Sequence, residues 1–562
     1  MKVGLIYPPA DRRHEECFPM PSISIAVLAD HLRNRGHEAR IYDFDIPFQR
    51  RVRWARRDVD FGVLTDRRRV LDFIQGRPAG RKDAALRRVS ELILGAVRPE
   101  RCALYGITLV DMMRNRFVLH SAALIAHALK VRFGAPVVLG YQGIPQESYR
   151  EILEQYPVFD YAVWCLGEAP LDRLIERLSG KGGPLLQTLA RESGGVAASL
   201  GELPFVPCGG SDYEGYPLDL YRVSRDRLEG AYGFPAALVK LRGLESGRPD
   251  QLVVMHRFET TCKGTCAFCA NDAASPSNRA DGARIAADLA KLSERGVTGI
   301  YFTNANFNDD YRHAEELCDL MIRQGLGLQW SDCANFRALD ERLLDKMRRA
   351  GAVRLAFGME TASPRLLRFI RKAATRSKIE RCLRHSHELG IWNHVELIGG
   401  LPTETDEDLA RTCGFIRELS DVVDQYTVSP FTLYRQSPFF KEAGLFGLRL
   451  RPGNAVETWG CSFADRRACE GSERFDETGG PAWPEKMAQI RRSSRTLAKA
   501  IQDTAPFGAM NRDHTHLLMH LYRVLGHSRK GLIRRIFRTV TRKFKPYHMD
   551  HFPGVVDLLA GV

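Results

Sequence analysis

Three cysteines fall within eight residues in the run Phe258-Glu-Thr-Thr-Cys262-Lys-Gly-Thr-Cys266-Ala-Phe-Cys269. As thiolates, with a glycine between the first two, they can wrap the chain around one corner of an iron–sulfur cube. Three protein ligands leave the fourth iron open to a substrate-like chelator, which distinguishes a catalytic cluster from an electron carrier. Structural zinc is the competing chemistry, but it wants four ligands, usually as two separated pairs, and no second C-x-x-C or H-x-x-x-H lies near the run. Unligated core cysteines are a third reading. Against them stands the place of the run, directly after a strand, where a βα barrel sets its active site.

The elements that must position these thiols alternate in type. Leu252 to Phe258, Gly299 to Thr303, Leu328 to Ser331, Val353 to Phe357, His394 to Ile398 and Gln425 to Val428 read as strands. Arg284 to Arg295, His313 to Gln324, Glu341 to Arg349, Lys378 to Leu389 and Glu407 to Leu419 read as the helices between them. About six βα units predict a partial parallel barrel, with its chemistry at the C-terminal strand ends. A first series precedes it. Lys2 to Tyr7, Ala39 to Phe44, Cys102 to Val110, Pro136 to Leu139 and Tyr161 to Leu166 are strand-like, while Ser24 to Arg35, Phe117 to Arg132 and Pro170 to Leu178 are helix-like. That alternation predicts a doubly wound, Rossmann-like sheet whose ligand sits at the carboxyl ends of the strands. Arg50 to Val97 reads as a helical insertion.

The expected class is therefore α/β, in four segments: an N-terminal Rossmann-like domain over 1–180, a surface linker over 181–248, a (β/α)6 barrel over 249–445, and a mainly helical, substrate-covering region over 446–562. At 562 residues the chain exceeds what one core usually organises. Its 44% hydrophobic and 27% charged residues are ordinary for a globular protein, and no run reaches the roughly 20 apolar residues of a membrane helix. The apolar start is too short for a signal peptide, and thirteen scattered cysteines suit a reducing compartment, so the expected location is the cytoplasm. The net charge of +14 gathers in Arg50 to Arg69 and Arg529 to Lys545, which read as solvated helix faces rather than a nucleic-acid surface. In the second run Ile533, Ile536, Phe537 and Phe544 recur at helical spacing, as in an amphipathic helix packed on its own domain.

The C-x3-C-x2-C spacing followed by further βα units resembles the radical S-adenosylmethionine superfamily over roughly Leu252 to Tyr434. The resemblance implies a [4Fe-4S] cluster on Cys262, Cys266 and Cys269, and S-adenosylmethionine chelating the open iron and cleaved there to a 5′-deoxyadenosyl radical. It places Phe268 beside the adenine. Thr303, Asn304 and Asn306 would meet the methionyl part, Gly358 and Glu360 the ribose and carboxylate, and Gly399, Gly400 and Pro402 the adenine side. Two departures are visible: Asn304 and Asn306 stand where the family usually has acidic residues, and Thr403 stands for a glycine. Tyr434 and Asp332, near strand ends, are placed to contact substrate or relay a proton, with ordinary hydrogen bonding as the alternative.

A Rossmann-like sheet before such a barrel is similar to the cobalamin-binding subgroup of this superfamily. The resemblance puts Pro9, Ser22, Ser24, Gly140, Gly143, Gly167 and Glu168 around the corrin and its tail. No Asp-x-His-x-x-Gly sequence offers a histidine to cobalt, and His120 reads as an ordinary helix residue. An open lower face favours the nucleophilic cobalt(I) state, which accepts a methyl group. The implied function is a cobalamin-dependent radical methyltransferase acting on an unactivated carbon or phosphorus of a small-molecule or peptide substrate, served by a flavodoxin- or ferredoxin-like electron donor. Rearrangement or oxidative cyclisation, and a sheet that serves only as scaffold, are the alternatives. Cys461 and Cys469 could join an auxiliary cluster, while Cys208, Cys333 and Cys413 read as buried small residues.

Overall fold

Short apolar runs between amphipathic stretches become parallel strands joined by helices, twice over. The protein is described from a computed structural model covering residues 1–10, 20–55, 60–109, 116–141, 144, 146–204, 206, 208–224, 250–270, 278–451, 473–502, 504–505 and 512–543. Its two units are Met1–Tyr221 and Arg222–Val562.

In the first unit β1 (Lys2–Tyr7), β2 (Glu38–Asp43), β3 (Leu104–Thr108), β4 (Val137–Gly140), β5 (Tyr161–Val163), β6 (Thr188–Glu192) and β7 (Gly195–Ser199) form one sheet of order β2-β1-β3-β4-β5-β6-β7. The first five are parallel. Their order reverses at β1 and β3, the switch point where an open sheet of this type takes its ligand. Arg50 to Val97 is helical as read, in Asp45–Ala55, Arg67–Ile74 and Ala84–Leu94.

The linker expected over 181–248 is corrected in part. β6 and β7 form an antiparallel hairpin that extends this sheet from β5, and the unit closes at Tyr221 rather than at residue 180. These strands are five residues each, β6 ending in Arg191 and Glu192 and β7 made mostly of small side chains, so no long apolar run announces them; the open edge of β5 organises them. Residues 225–249 lie outside the described residues.

In the second unit β8 (Val253–His256), β9 (Gly299–Phe302), β10 (Gln329–Ala334), β11 (Ala352–Glu360), β12 (Trp392–Gly399) and β13 (Gln425–Pro430) lie parallel in sequence order. Among the described residues six helices connect them, each started by a side-chain cap from Asp281, Asp310, Asp340, Ser363, Thr375 or Thr405. Beneath the loop that follows β8, Phe258 packs edge-on to Phe302 and Phe307, and Phe307 stacks on Trp330 at 4.3 Å between centroids. This aromatic block anchors the cysteine loop to β9 and β10.

The region after residue 446 is mainly helical as read, but its last two helices differ from the expected cover. Helix Arg512–Leu525 and helix Lys530–Lys543 close the N-terminal ends of the strands, opposite the cysteines. Gln251 donates to the His516 carbonyl, Tyr522 to the Gly390 carbonyl, and Phe537 packs on Trp392. Lys530 pairs at 2.8 Å with Asp424, which sits just before β13. The amphipathic character of Lys530–Lys543 thus serves its own unit, as read. An open barrel exposes apolar strand starts, and burying them is what these faces do.

Helix Asp406–Glu418 opens with a capping box between Thr405 and Asp408. Burial pushes the Asp408 carboxyl up, but the Arg365 guanidinium and the Ser363 and Thr405 donors outweigh it and hold it at about 2, below the ordinary 3.8. A carboxyl lowered on folding stabilises above its ordinary value and loses that contribution as pH falls through the folded one. Thermal unfolding followed by circular dichroism is expected to show stability dropping between about pH 4 and pH 2, with a shallower drop in Asp408→Asn.

Candidate cluster and cofactor site

Cys262, Cys266 and Cys269 lie in the loop after β8, at the C-terminal mouth of the barrel, each partly exposed. The loop is pinned on both sides: the Ala267 N–H donates to the Ile370 carbonyl, and its own carbonyl accepts from Phe439 N–H. Gly264 faces the sulfurs. A Cβ there would lie 3.2 Å from the Cys262 Sγ and 3.8 Å from that of Cys266, so a larger residue would fill the space the thiols share. Among the described residues no three His, Cys, Asp or Glu side chains converge as a single ion requires. Burial pushes the Cys262 thiol up to about 11 and raises Cys266 as well. Free, both keep their protons, and metal binding must displace them. The donor set and the glycine cradle fit an iron–sulfur cluster.

Several polar groups converge on Cys262. Its Sγ lies 3.4 Å from the Asn306 amide nitrogen, 3.3 Å from the Gly264 N–H and 3.4 Å from an Asp309 oxygen. The other Asp309 oxygen accepts from Lys263 N–H, and Arg337 pairs with this carboxylate at 3.0 Å. Sequence reasoning missed Asp309; its neighbour Asp310 caps the next helix, and one acidic pair before a helix reads as capping alone.

Asn304 has a different use from the one expected. Its oxygen accepts the N–H groups of Phe258 and Glu259, and its amide donates to Asp332 at 2.8 Å. It stitches the end of β8 to β10, and Thr303 likewise holds the His256 carbonyl through its backbone N–H. Asp332 is buried; burial raises its carboxyl to about 8 against the Asn304 and Cys333 donors. It therefore keeps a proton at neutral pH. Tyr434, the other expected substrate contact, is 46% exposed and outside β13.

Glu360 ends β11 with a left-handed backbone, φ 69°, and its carboxylate pairs with Lys372 at 2.9 Å. The Lys372 ammonium sits 5.7 Å from the centroid of Phe268. Gly358 makes room for this pair, since a Cβ there would come within 2.9 Å of both Glu360 Oε1 and Lys372 Nζ. Phe268, Gly358 and Glu360 are thus brought together around Lys372. No pattern in the sequence singles out Lys372, because it follows Glu360 by twelve residues of loop and short helix.

Gly399 and Gly400 owe their identity to a helix. A Cβ on Gly399 would lie 2.6 Å from Ser494 Oγ, and one on Gly400, whose φ is 82°, 2.5 Å from Ile490 Cα. Helix Trp483–Gln502 presses directly on them. Glu404 accepts from the Gly400 N–H and bonds Ser493, while the buried Lys486 ammonium donates to the Leu401 carbonyl and pairs with Glu477. The Gly399 to Glu404 segment, Pro402 included, is the seat of that helix.

In the first unit Gly140 closes β4, and Pro9, Ser22, Ser24, Gly167 and Glu168 lie in the loops and helix starts that follow β1 and β5; Gly143 lies outside the described residues, as do Cys461 and Cys469. Gly167 is explained by packing, 3.3 Å from Leu28 for a built Cβ, whereas at Gly140 nothing among the described residues comes closer than 4.0 Å. Ser22 is buried and caps the helix Ile23–Asn34 without a side-chain bond to it, its hydroxyl meeting the Tyr216 side chain instead. An open strand end at Gly140 suits a corrin. Both ring nitrogens of His120 are engaged, by the Leu64 carbonyl and the Tyr156 hydroxyl, which agrees with its reading as a helix residue.

Residues 258–416 match the family model of the Radical SAM superfamily. An uncharacterized methyltransferase of Pyrococcus horikoshii is 26% identical over 172 residues, 30% of this chain and 37% of that protein. The cytidylyl-2-hydroxyethylphosphonate methyltransferase of Streptomyces wedmorensis is 27% identical over 115 residues, 20% of this chain and 22% of that protein. The chain therefore spans little more than a third of the first of these curated relatives. Among solved structures, the radical S-adenosylmethionine methyltransferase TsrM from Kitasatospora setae, with cobalamin and a [4Fe-4S] cluster bound, superposes with a TM-score of 0.58 at 16% identity, covering 96% of this chain and 99% of that one. The cobalamin-dependent S-adenosylmethionine radical enzyme OxsB gives 0.57 at 12% identity, covering 100% and 79%. At these identities the likeness is one of fold, and it extends over both units.

Proposed function

We propose that the chain is a cytoplasmic, cobalamin-dependent radical S-adenosylmethionine methyltransferase acting on an unactivated carbon or phosphorus of a small-molecule or peptide substrate, with a flavodoxin- or ferredoxin-like protein as electron donor. One observation carries this reading: three thiols in a pinned loop at the mouth of a parallel barrel, two of them over the bare Cα of Gly264. The bound groups of TsrM and OxsB support the cofactor set, and the names of two curated relatives support methyl transfer.

When bound, the cluster, S-adenosylmethionine and corrin supply one-electron chemistry and a methyl group. The chain's own part is binding and orientation. Cys262, Cys266 and Cys269 would hold three irons. Phe268, with Lys372 over its ring and Glu360 fixing Lys372, offers a flat face and a charged edge to a nucleoside. Asp332, held by Asn304, keeps a proton on its carboxyl in the barrel mouth. Gly140, at the end of β4, would leave room for the corrin.

The similarity to an anaerobic magnesium-protoporphyrin IX monomethyl ester cyclase of Rubrivivax gelatinosus, 26% identical over 201 residues, favours cyclisation as the second reading. Anaerobic reconstitution with iron, sulfide and hydroxocobalamin, followed by S-adenosylmethionine and a low-potential chemical reductant, separates the two. Stoichiometric corrinoid with release of S-adenosylhomocysteine supports methyl transfer. Corrinoid with 5′-deoxyadenosine alone supports the cyclase-like reading, and a cluster without affinity for cobalamin leaves the first sheet as scaffold.

A further inference from the structure

The three groups on Cys262 are chemically unequal. Two are N–H donors, the Asn306 side-chain amide at 3.4 Å and the Gly264 backbone at 3.3 Å, both ordinary lengths for a bond to sulfur. The third is the Asp309 carboxylate, whose charge is countered by Arg337 at 3.0 Å and by the Lys263 N–H at 2.9 Å. Asp309 is buried and stays where those partners hold it. Asn306 follows β9 by four residues, in a stretch whose neighbours are fixed: Asn304 binds the end of β8, and Phe307 stacks on Trp330 and donates its N–H to the Cys333 carbonyl. The amide is thus presented to the sulfur by a rigid segment rather than by a loose loop.

We infer that Asn306 sets the reduction potential of the cluster through an N–H to sulfur hydrogen bond on Cys262. The inference rests on the cluster proposed above. Adding one electron to the cluster increases negative charge on its sulfurs, and a donor aimed at a ligand sulfur stabilises the reduced form more than the oxidised one. The bond raises the potential and eases reduction by a protein donor. Gly264 contributes the same sign through the backbone, where substitution cannot remove it, so Asn306 is the adjustable member of the pair. It acts through Cys262 and is a positioning and tuning residue.

The test is an EPR-monitored redox titration of the anaerobically reconstituted full chain, comparing wild type with Asn306→Leu and Asn306→Asp at equal iron content. Leu removes the donor, and the ratio of reduced to oxidised cluster at a fixed potential is expected to fall about fivefold, the factor one hydrogen bond carries. Asp removes the donor and adds a charge, and its midpoint should be lower still. Selective 15N labelling of asparagine gives a readout in wild type itself: a weak nitrogen coupling to the reduced cluster, absent in Asn306→Leu. Unchanged midpoints in iron-replete variants, or no asparagine coupling in wild type, overturn the inference and leave the cluster assignment standing. A wild-type chain that takes up no iron overturns the cluster assignment itself.

Discussion

Replacing Cys262, Cys266 and Cys269 together by alanine is expected to lower iron after reconstitution from about four per chain to near zero and to abolish any S-adenosylmethionine turnover. The reason is local. No other thiol shares that loop, and Cys318, Cys333, Cys382 and Cys413 sit in helices or strands elsewhere in the unit. Because the loop is held by the backbone bonds of Ala267 and by the Phe258 aromatic block, the variant should keep its fold. Circular dichroism is expected to be unchanged while iron and sulfide assays report the loss. Retention of full iron by the triple variant would remove these cysteines from the site.

Gly400→Ala is the second large effect, and it acts on stability. The residue has φ 82°, a conformation that costs a side-chain-bearing residue about 1 kcal/mol or more. The added methyl would also lie 2.5 Å from Ile490 Cα and 2.6 Å from Ile490 Cγ1, so the backbone of helix Trp483–Gln502 must move. Overpacking of this kind costs about 1–3 kcal/mol. Together the change should destabilise the second unit by about 3 kcal/mol, read as a lowered midpoint in denaturant unfolding. Gly140→Ala, where a methyl meets nothing among the described residues closer than 4.0 Å, is the comparison: it should leave stability nearly unchanged and report on cobalamin binding instead.

The contrast between Gly140 and Gly400 shows what a glycine after a strand conceals. Both read the same way in sequence, as a turn or a cofactor contact. Only the position of Ile490 and Ser494, ninety residues on from the Gly399-Gly400 pair, assigns that pair to helix packing. Asn304 and Asn306 show the same limit two residues apart. Their type suggests polar contacts to a ligand, yet Asn304 is spent on the backbone of Phe258 and Glu259, and Asn306 reaches Cys262.

By itself the sequence determined the order and type of the parallel strands and the cysteine spacing from which the proposed chemistry is read. The six barrel strands lie where hydrophobic runs predicted them, β9 at Gly299–Phe302 against an expected Gly299 to Thr303, because the period of burial along a chain is a local property. The cysteine spacing is local too, since eight residues span one corner of a cluster. Tertiary structure alone decided which distant side chains meet: Lys372 over Phe268, Asp309 and Arg337 beside Cys262, and helix Trp483–Gln502 on Gly400. It also decided that the last two helices close the barrel's N-terminal end rather than cover its mouth. Such pairings depend on where apolar faces find a surface to bury, and that choice is made by the whole fold, through burial that is non-directional and not written into any short stretch of residues.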